Sequence, residues 1–161
     1  MKDEYRPKHA QNGVVVRPAV ASEQKQLEAL QWRASLNNPG DRDALLAHPD
    51  AIELPLEQLS DGGVFVAETA GSVMGFAAIL AREDGDFELD ALFVEPSAWR
   101  QGIGRALVDH CAEAARVAGA ESLHVVGNPH AEGFYTACGF DTLGTKQTRF
   151  GIGLLMKMAL R

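Results

Sequence analysis

Two hydrophobic rhythms run through the chain, and they separate strands from helices. Gly13 to Arg17 is a valine run stopped by Pro18, which predicts a first strand. Ser22 stands as a helix N-cap with Glu23 in the first turn, and Leu27, Leu30 and Ala34 repeat at helical spacing to about Leu36. Asn37-Asn38-Pro39-Gly40 is a turn cluster, and Asp41 to Ala47 predicts a short helix before Pro49. Residues 50–60 show no clear period, and Pro55 argues against a long element there. Val64 to Thr69, Val73 to Ala81 and Phe87 to Val94 then follow at hairpin spacing and predict an antiparallel meander. Their connections are Ala70-Gly71-Ser72 and Glu83-Asp84-Gly85-Asp86. Gln101 to Ala118 is amphipathic, with Ile103, Leu107, Ala114 and Val117 on one side and Arg105, Asp109, Glu113 and Arg116 on the other. Gly119 closes that helix. Leu123 to Val126 reads as the buried parallel strand that a βαβ crossover produces. Pro129 to Cys138 predicts another helix ended by Gly139, and the tail from Phe140 to Leu160 two last strands around Thr145–Gly153. The order is that of an α/β chain with a mixed sheet and about four helices. Met1 to Asn12 is polar and reads as a flexible lead-in to a single domain over residues 13–161.

One junction carries chemistry. The strand ending at Val94 passes through a short polar loop, and Gly102 and Gly104 then open the amphipathic helix. The first N–H groups of a helix have no partner inside it and sit at the positive end of its dipole. Glycine removes the Cβ atoms that would hold an anion away, so the junction predicts a phosphate seat. A Walker loop is absent. A dinucleotide fingerprint fails as well, because Leu107 takes its third glycine position and the glycines come several residues after the strand.

The remaining pattern, [QR]-x-x-G-x-[GA] at the start of a helix after a strand, resembles the acyl-CoA loop of the GNAT superfamily of N-acetyltransferases. Gln101 to Leu107 carries it. Leu89-Asp90-Ala91-Leu92-Phe93-Val94-Glu95-Pro96 is similar to the family's central strand and its exit, and Asn128 to Phe140 to its N-x-x-A-x-x-F-Y-x-x-x-G-F segment. The match spans residues 64 to 160, while the first third agrees only in its strand–helix outline. Trp99 departs from the family, standing where Gln or Arg is usual, with Arg100 next to it. The resemblance implies the GNAT fold: a mostly antiparallel sheet whose fourth and fifth strands, Phe87–Val94 and Leu123–Val126, are parallel and splay around acyl-CoA. It implies acetyl transfer from acetyl-CoA, as cosubstrate and without a metal, to a primary amine on a small molecule or peptide. A non-catalytic acyl-CoA sensor of the same fold is the alternative.

Composition narrows the partners. A chain of 161 residues can bury a core without metal or disulfide staples. The net charge of −7 disfavours nucleic acid and favours a cationic acceptor. No apolar run approaches membrane-spanning length, so no membrane partner is expected. Cys111 and Cys138 have no metal spacing and read as thiols of a reducing, cytoplasmic compartment. A homodimer stays open, since the sequence does not fix the oligomeric state.

Acyl transfer to an amine needs a deprotonated amine, a stabilised oxyanion and a proton for the departing thiolate. For the phosphates, the candidates are the backbone N–H groups of Gln101, Gly102, Ile103, Gly104, Arg105 and Ala106, with Arg100 and Arg105 adding charge. The resemblance assigns backbone groups of Phe93 and Val94 to pantetheine and Tyr135 to the CoA sulfur, where a phenol can return a proton. By packing alone Tyr135 is equally a core residue. Asn128 is a helix cap or a cofactor contact. Glu88 is a candidate general base, with Asp90 expected on the same strand face because side chains alternate. His110 reads as a core-edge residue, and His48 and His124 have no evident partner. Acceptor choice is expected from Trp32, Arg33, Asn37 and Asn38 and from the tail loop Thr145 to Gly151.

Overall fold

The computed structural model describes residues 9–10 and 13–161. The lead-in expected over residues 1–12 lies, except for His9 and Ala10, outside them. Among the described residues there are seven strands of five residues or more and five α-helices, one helix more than the four expected. Apart from that added helix over Leu56–Ser60, they follow the expected order. The strands are β1 Val14–Pro18, β2 Val64–Thr69, β3 Ser72–Ala81, β4 Phe87–Val94, β5 Ser122–Gly127, β6 Asp141–Thr148 and β7 Gly151–Ala159. The helices are α1 Gln24–Asn37, α2 Asp41–Ala47, α3 Leu56–Ser60, α4 Ile103–Val117 and α5 Glu132–Cys138. His9–Ala10 adds a short strand beside β1, and the sheet order is then β1-β2-β3-β4-β5-β7-β6. Every neighbouring pair is antiparallel except β4–β5.

The sheet separates two apolar layers. On one face Phe65, Ala67, Ala77 and Ile79 meet Ile103, Leu107, Val108 and Cys111 of α4. On the other, Val64, Val66, Phe76 and Ala78 meet Leu27 and Leu30 of α1 and Leu59 of α3. Period-two alternation in β2 and β3 supplies both layers from the same strands.

Several expectations need correction. Ser22 does not cap α1: a 3-10 turn over Ala21–Glu23 precedes the helix, and Glu23 itself reaches back to accept the Val20 N–H at 3.0 Å. Pro55 does not prevent an element: it sits at the N-cap of α3, where the missing N–H costs nothing. Val117 is 72% exposed, whereas α4 buries Ile103, Leu107, Val108, Cys111 and Ala115. Two residues past Ala115, Val117 has come round to solvent. Gly119 does close α4, with Ala120 N–H bonded to the Ala115 carbonyl and Gly119 N–H to Arg116, and Gly139 repeats this closure on α5.

The decisive irregularity is in β4. Ile79 pairs with Leu89 but Ala78 pairs with Ala91, so Asp90 is an extra residue, a β-bulge. Its effect is visible in the packing. Phe87 and Leu89 face the α4 layer, then Ala91 and Phe93 face the α1 layer, and Leu92 and Val94 return to α4. The bulge therefore reverses which side chains face which layer, and a bulged strand bends. The parallel pairing of β4 with β5 covers only Phe87↔Leu123, Glu88↔His124 and Leu89↔Val125, and ends where the bulge begins.

Candidate functional site

A cavity of about 800 Å³ opens where β4 and β5 part. Leu89 to Val94 form one wall and Val125 and Val126 the other. Gly102 to Arg105, at the start of α4, and Phe134, Tyr135 and Cys138 of α5 line it between those walls. Asn38, Pro39 and Asp41, together with Asn128 and His130, form a polar border.

The opening of α4 is built for an anion. Gly102 is the N-cap at φ 82°, no side chain caps the helix, and no acid lies in its first turn. The first ladder bond runs from Ala106 N–H to the Gly102 carbonyl at 3.0 Å. Ala106 N–H is therefore consumed inside the helix and is not a ligand donor, and neither Ala106 nor Gln101 lines the cavity. The N–H groups of Ile103, Gly104 and Arg105 precede that first bond and are left over. Arg100 is also left-handed, at φ 66°, a conformation costing a non-glycine residue about 1 kcal/mol. The step from left-handed Gly102 into right-handed helix curls successive N–H groups to one side. Space is open around Gly102, whereas a Cβ on Gly104 would stand 3.1 Å from the Phe134 ring. Gly102 is thus required by the turn, and Gly104 by the approach of α5.

The charges beside this seat differ in availability. Arg105 donates to the Ala137 carbonyl at 3.1 Å and lies 4.0 Å from Asp109. Arg100 makes no hydrogen bond or ion pair among the described residues. Trp99 donates its indole N–H to the Val94 carbonyl at 2.8 Å, so it pins the strand exit to the loop. Glu95, the next residue of the exit, pairs with Arg33 of α1.

Tyr135 lines the cavity with its ring edge-on to Phe134 and Phe140 at centroid distances of 5.2 and 5.5 Å. Burial pushes its phenol well above the usual range, helped by Cys138 and Asp41. Burial likewise raises the Cys138 thiol, against the lowering effect of Arg105, which favours its protonated form. Phe93, Val94 and Asn128 also line the cavity. Asn128 uses its whole amide: Nδ2 donates to the Pro39 carbonyl and to Asp41 Oδ1, both at 3.0 Å, and Oδ1 accepts the His130 N–H at 2.9 Å. It caps the turn Pro129–Ala131 and fastens the loop between α1 and α2 to the loop between β5 and α5.

Glu88 is not brought to the cavity; it lies on the paired stretch of β4, opposite His124. Asp90 is at the wall, 3.4 Å from Gln58 of α3. Both acids lie on the side of the sheet that carries α1 and α3, and of the two only Asp90 lines the cavity. Of the expected acceptor residues only Asn38 lines the cavity, and Trp32, Arg33, Asn37 and Thr145 to Gly151 do not. His124 does have a partner: Asp86 Oδ2 is 2.8 Å from its Nε2. His48 stands edge-on to Phe150 at 5.5 Å, which brings the β6–β7 hairpin tip to the end of α2. His110 packs on Phe65 at 4.5 Å, as a core-edge residue should. Asp41 escaped sequence reading, since an acid in a helix's first turn is ordinary. Burial raises its carboxyl above the usual range, against the lowering effect of Asn128, Asn38 and His130.

The model of the Acetyltransferase (GNAT) family matches residues 25–140. No curated protein matches the sequence. Among solved structures, nourseothricin acetyltransferase is 25% identical with a TM-score of 0.56, over 61% of this chain and 65% of that one. The chain thus spans slightly less than two thirds of that enzyme. A GCN5-related N-acetyltransferase from Rhodopseudomonas palustris is 18% identical, with a TM-score of 0.71 over 90% of this chain and 94% of that one. PaiA N-acetyltransferase from Thermoplasma acidophilum, in complex with coenzyme A, is 15% identical, with a TM-score of 0.70 over 91% and 98%.

Proposed function

Because this chain belongs to the GNAT acetyltransferase family, we propose that it transfers an acetyl group from acetyl-CoA to a primary amine directly, within one ternary complex. The observation that carries this reading is the cavity in the β4–β5 splay with the uncapped start of α4 at its edge. The residues fit the cosubstrate. The N–H groups of Ile103, Gly104 and Arg105, with Arg100, would hold the pyrophosphate. Of the two residues expected for pantetheine, Phe93 turns its carbonyl to Gly75 of β3 and Val94 gives its carbonyl to Trp99. The Val94 N–H, on the β4 edge that β5 has left, would therefore be the backbone group that holds pantetheine.

The amine first loses its proton. Its nitrogen then bonds to the carbonyl carbon, the carbon–sulfur bond breaks, and the sulfur takes a proton from Tyr135. The second proton shed by the nitrogen returns to the Tyr135 oxygen, leaving the amide, CoA thiol and a neutral phenol. Burial keeps this phenol protonated and makes its proton harder to give up, so the transfer to sulfur would be coupled to the return of the proton that the nitrogen sheds. Glu88, outside the cavity, would act on the amine only through water. No covalent enzyme intermediate is needed, so the rate gain comes from holding two substrates in line. Among the described residues, no helix is long and apolar enough to cross a membrane.

The test combines binding and turnover. Coenzyme A should raise the Tm of the wild-type protein, and acetyl-CoA with an amine panel should release thiol. Gly102→Glu places a carboxylate on the anion seat without touching Phe134, and should abolish the CoA-induced shift. Unchanged stabilisation of that variant would remove the phosphate seat. Stabilisation without thiol release from any amine would leave the acyl-CoA sensor.

A further inference from the structure

We infer that the acceptor is a dication, an amine carrying a second ammonium and no carboxylate, and that Asp41 is its counter-charge. This rests on the acetyl-transfer reading and names the substrate class of the same site.

Charge in the cavity is segregated. Arg100 and Arg105 flank the start of α4, while the acids Asp41 and Asp90 stand at the start of α2 and on the β4 wall. A polyanion and a polycation are therefore directed to different borders of one cavity. Asp41 is also fixed before any ligand arrives. Its Oδ1 accepts Asn128 Nδ2 at 3.0 Å, and the Pro39 carbonyl and His130 N–H hold that amide in turn. Gly40, at φ 86°, lets the loop lie against them: a Cβ there would stand 3.4 Å from both Asn128 Nδ2 and the His130 ring. A carboxylate so positioned does not have to be ordered on binding.

Asp41 is under-compensated as well as fixed. Burial raises its carboxyl despite the hydrogen bonds from Asn128 and Asn38 and the nearby His130. The amides supply dipoles but no full charge, so an ammonium gains more from Asp41 than from a solvated acid. The Asp41 charge is felt at Tyr135, which places the cation near the proton donor. Among the described residues, His130 and Tyr135 are the titratable groups that feel or exert charge at Asp41, and Asp90, Arg100, Arg105 and Cys138 line the same cavity. An amino acid would bring its own carboxylate against Asp41 and Asp90, and the like charge excludes it.

The experiment compares matched sets of equal chain length, each a diaminoalkane, an aminoalkane and an amino acid, by acetyl-CoA-dependent thiol release. The diamine should show the highest kcat/KM and the amino acid the lowest. Asp41→Asn keeps an oxygen for Asn128 and removes only the charge. It should raise KM for the diamine about 10- to 100-fold, leave that of the monoamine nearly unchanged, and preserve the CoA-induced Tm shift. A monoamine or amino acid as best acceptor would overturn the inference. So would an equal loss toward all three acceptors in Asp41→Asn, or stabilisation by CoA with no turnover of any diamine. Loss of CoA binding by the wild-type protein would strike the acetyl-transfer reading itself, and this inference with it.

Discussion

Tyr135 shows how much one residue depends on its neighbours. Its ring can lie against β5 because residue 127 is glycine: a Cβ there would come within 3.1 Å of the ring. Phe134 and Phe140 hold the ring edges, so its packing is that of a phenylalanine, with the hydroxyl as the one addition. No described residue is recorded as hydrogen-bonding that hydroxyl, and Tyr135 lines the cavity. Tyr135→Phe should therefore fold as the wild type does, leaving no buried polar group orphaned. If the hydroxyl protonates the leaving thiolate, kcat should fall about 100-fold while CoA affinity stays unchanged. Steady-state kinetics beside CoA titration will separate the two, and an unaltered kcat would reduce Tyr135 to packing. The residue was legible in sequence because the segment Asn128 to Phe140 resembles a known one as a whole. Asp41 was not legible, because its meaning comes from Asn128, 87 residues away.

At the scale of elements, hydrophobic period located strands and helices well and local irregularities poorly. Phe87 to Val94 reads as one continuous strand, and no residue type announces the bulge at Asp90. The bulge comes from how β4 must leave β5, a tertiary demand that period-two reading passes over. Glu88 and Asp90 keep the common face that alternation gives them, with Glu88 opposite to Phe87 and Leu89 and Asp90 bonded to Gln58 of α3. The reversal begins only after Asp90, where Ala91 and Phe93 share that face. The hairpin between β2 and β3 errs in the other direction. Thr69 pairs with Ser72, so the loop is only Ala70-Gly71, with φ of 51° and 81°. Both signs are positive, which is the type I′ geometry that fits strand twist. Gly71 adopts it freely, but Ala70 carries a Cβ into the left-handed region at a cost of about 1 kcal/mol. Asparagine tolerates that region better. Ala70→Asn should therefore raise stability by about 0.5 to 1 kcal/mol, a Tm gain of about 1 to 4 °C. It should leave turnover alone, because the turn does not line the cavity. A lower Tm in thermal melts would show that the turn is held by something other than its backbone signs.

The whole molecule joins a half stabilised by its packing to a site that costs it stability, and pH separates the two. Arg17 on β1 binds Glu23 through both carboxylate oxygens, at 3.0 and 2.8 Å, and Glu68 of β2 at 2.9 Å. It thereby ties the sheet edge to the turn that starts α1. The Arg17 guanidinium holds the Glu23 carboxyl below its ordinary 4.5, against the opposing effect of burial. A lowered folded pKa means that the unfolded chain binds the proton first as pH falls. Glu23 therefore contributes its full stabilisation above pH 4.5 and loses it as pH drops through the folded value. Asp41 has the opposite sign. Burial raises its carboxyl above the ordinary 3.8, so the folded chain holds that proton more tightly. Stability then declines as pH rises from about 3.8 through the raised value, and at neutral pH the charged Asp41 is a standing penalty. Two variants should therefore diverge at neutral pH and converge in acid. Glu23→Gln should melt lower than wild type at pH 7, by about 1 kcal/mol or 2 to 4 °C, with the deficit closing as pH falls below 4.5. Asp41→Asn should melt higher than wild type at pH 7, with its advantage closing toward pH 4, even as it loses the acceptor. Thermal melts across pH 3.5 to 8 decide this, and deficits of the same sign in both variants would contradict it. A carboxylate that weakens the fold and is nevertheless held in place by a fully used amide is expected where a ligand supplies the missing charge.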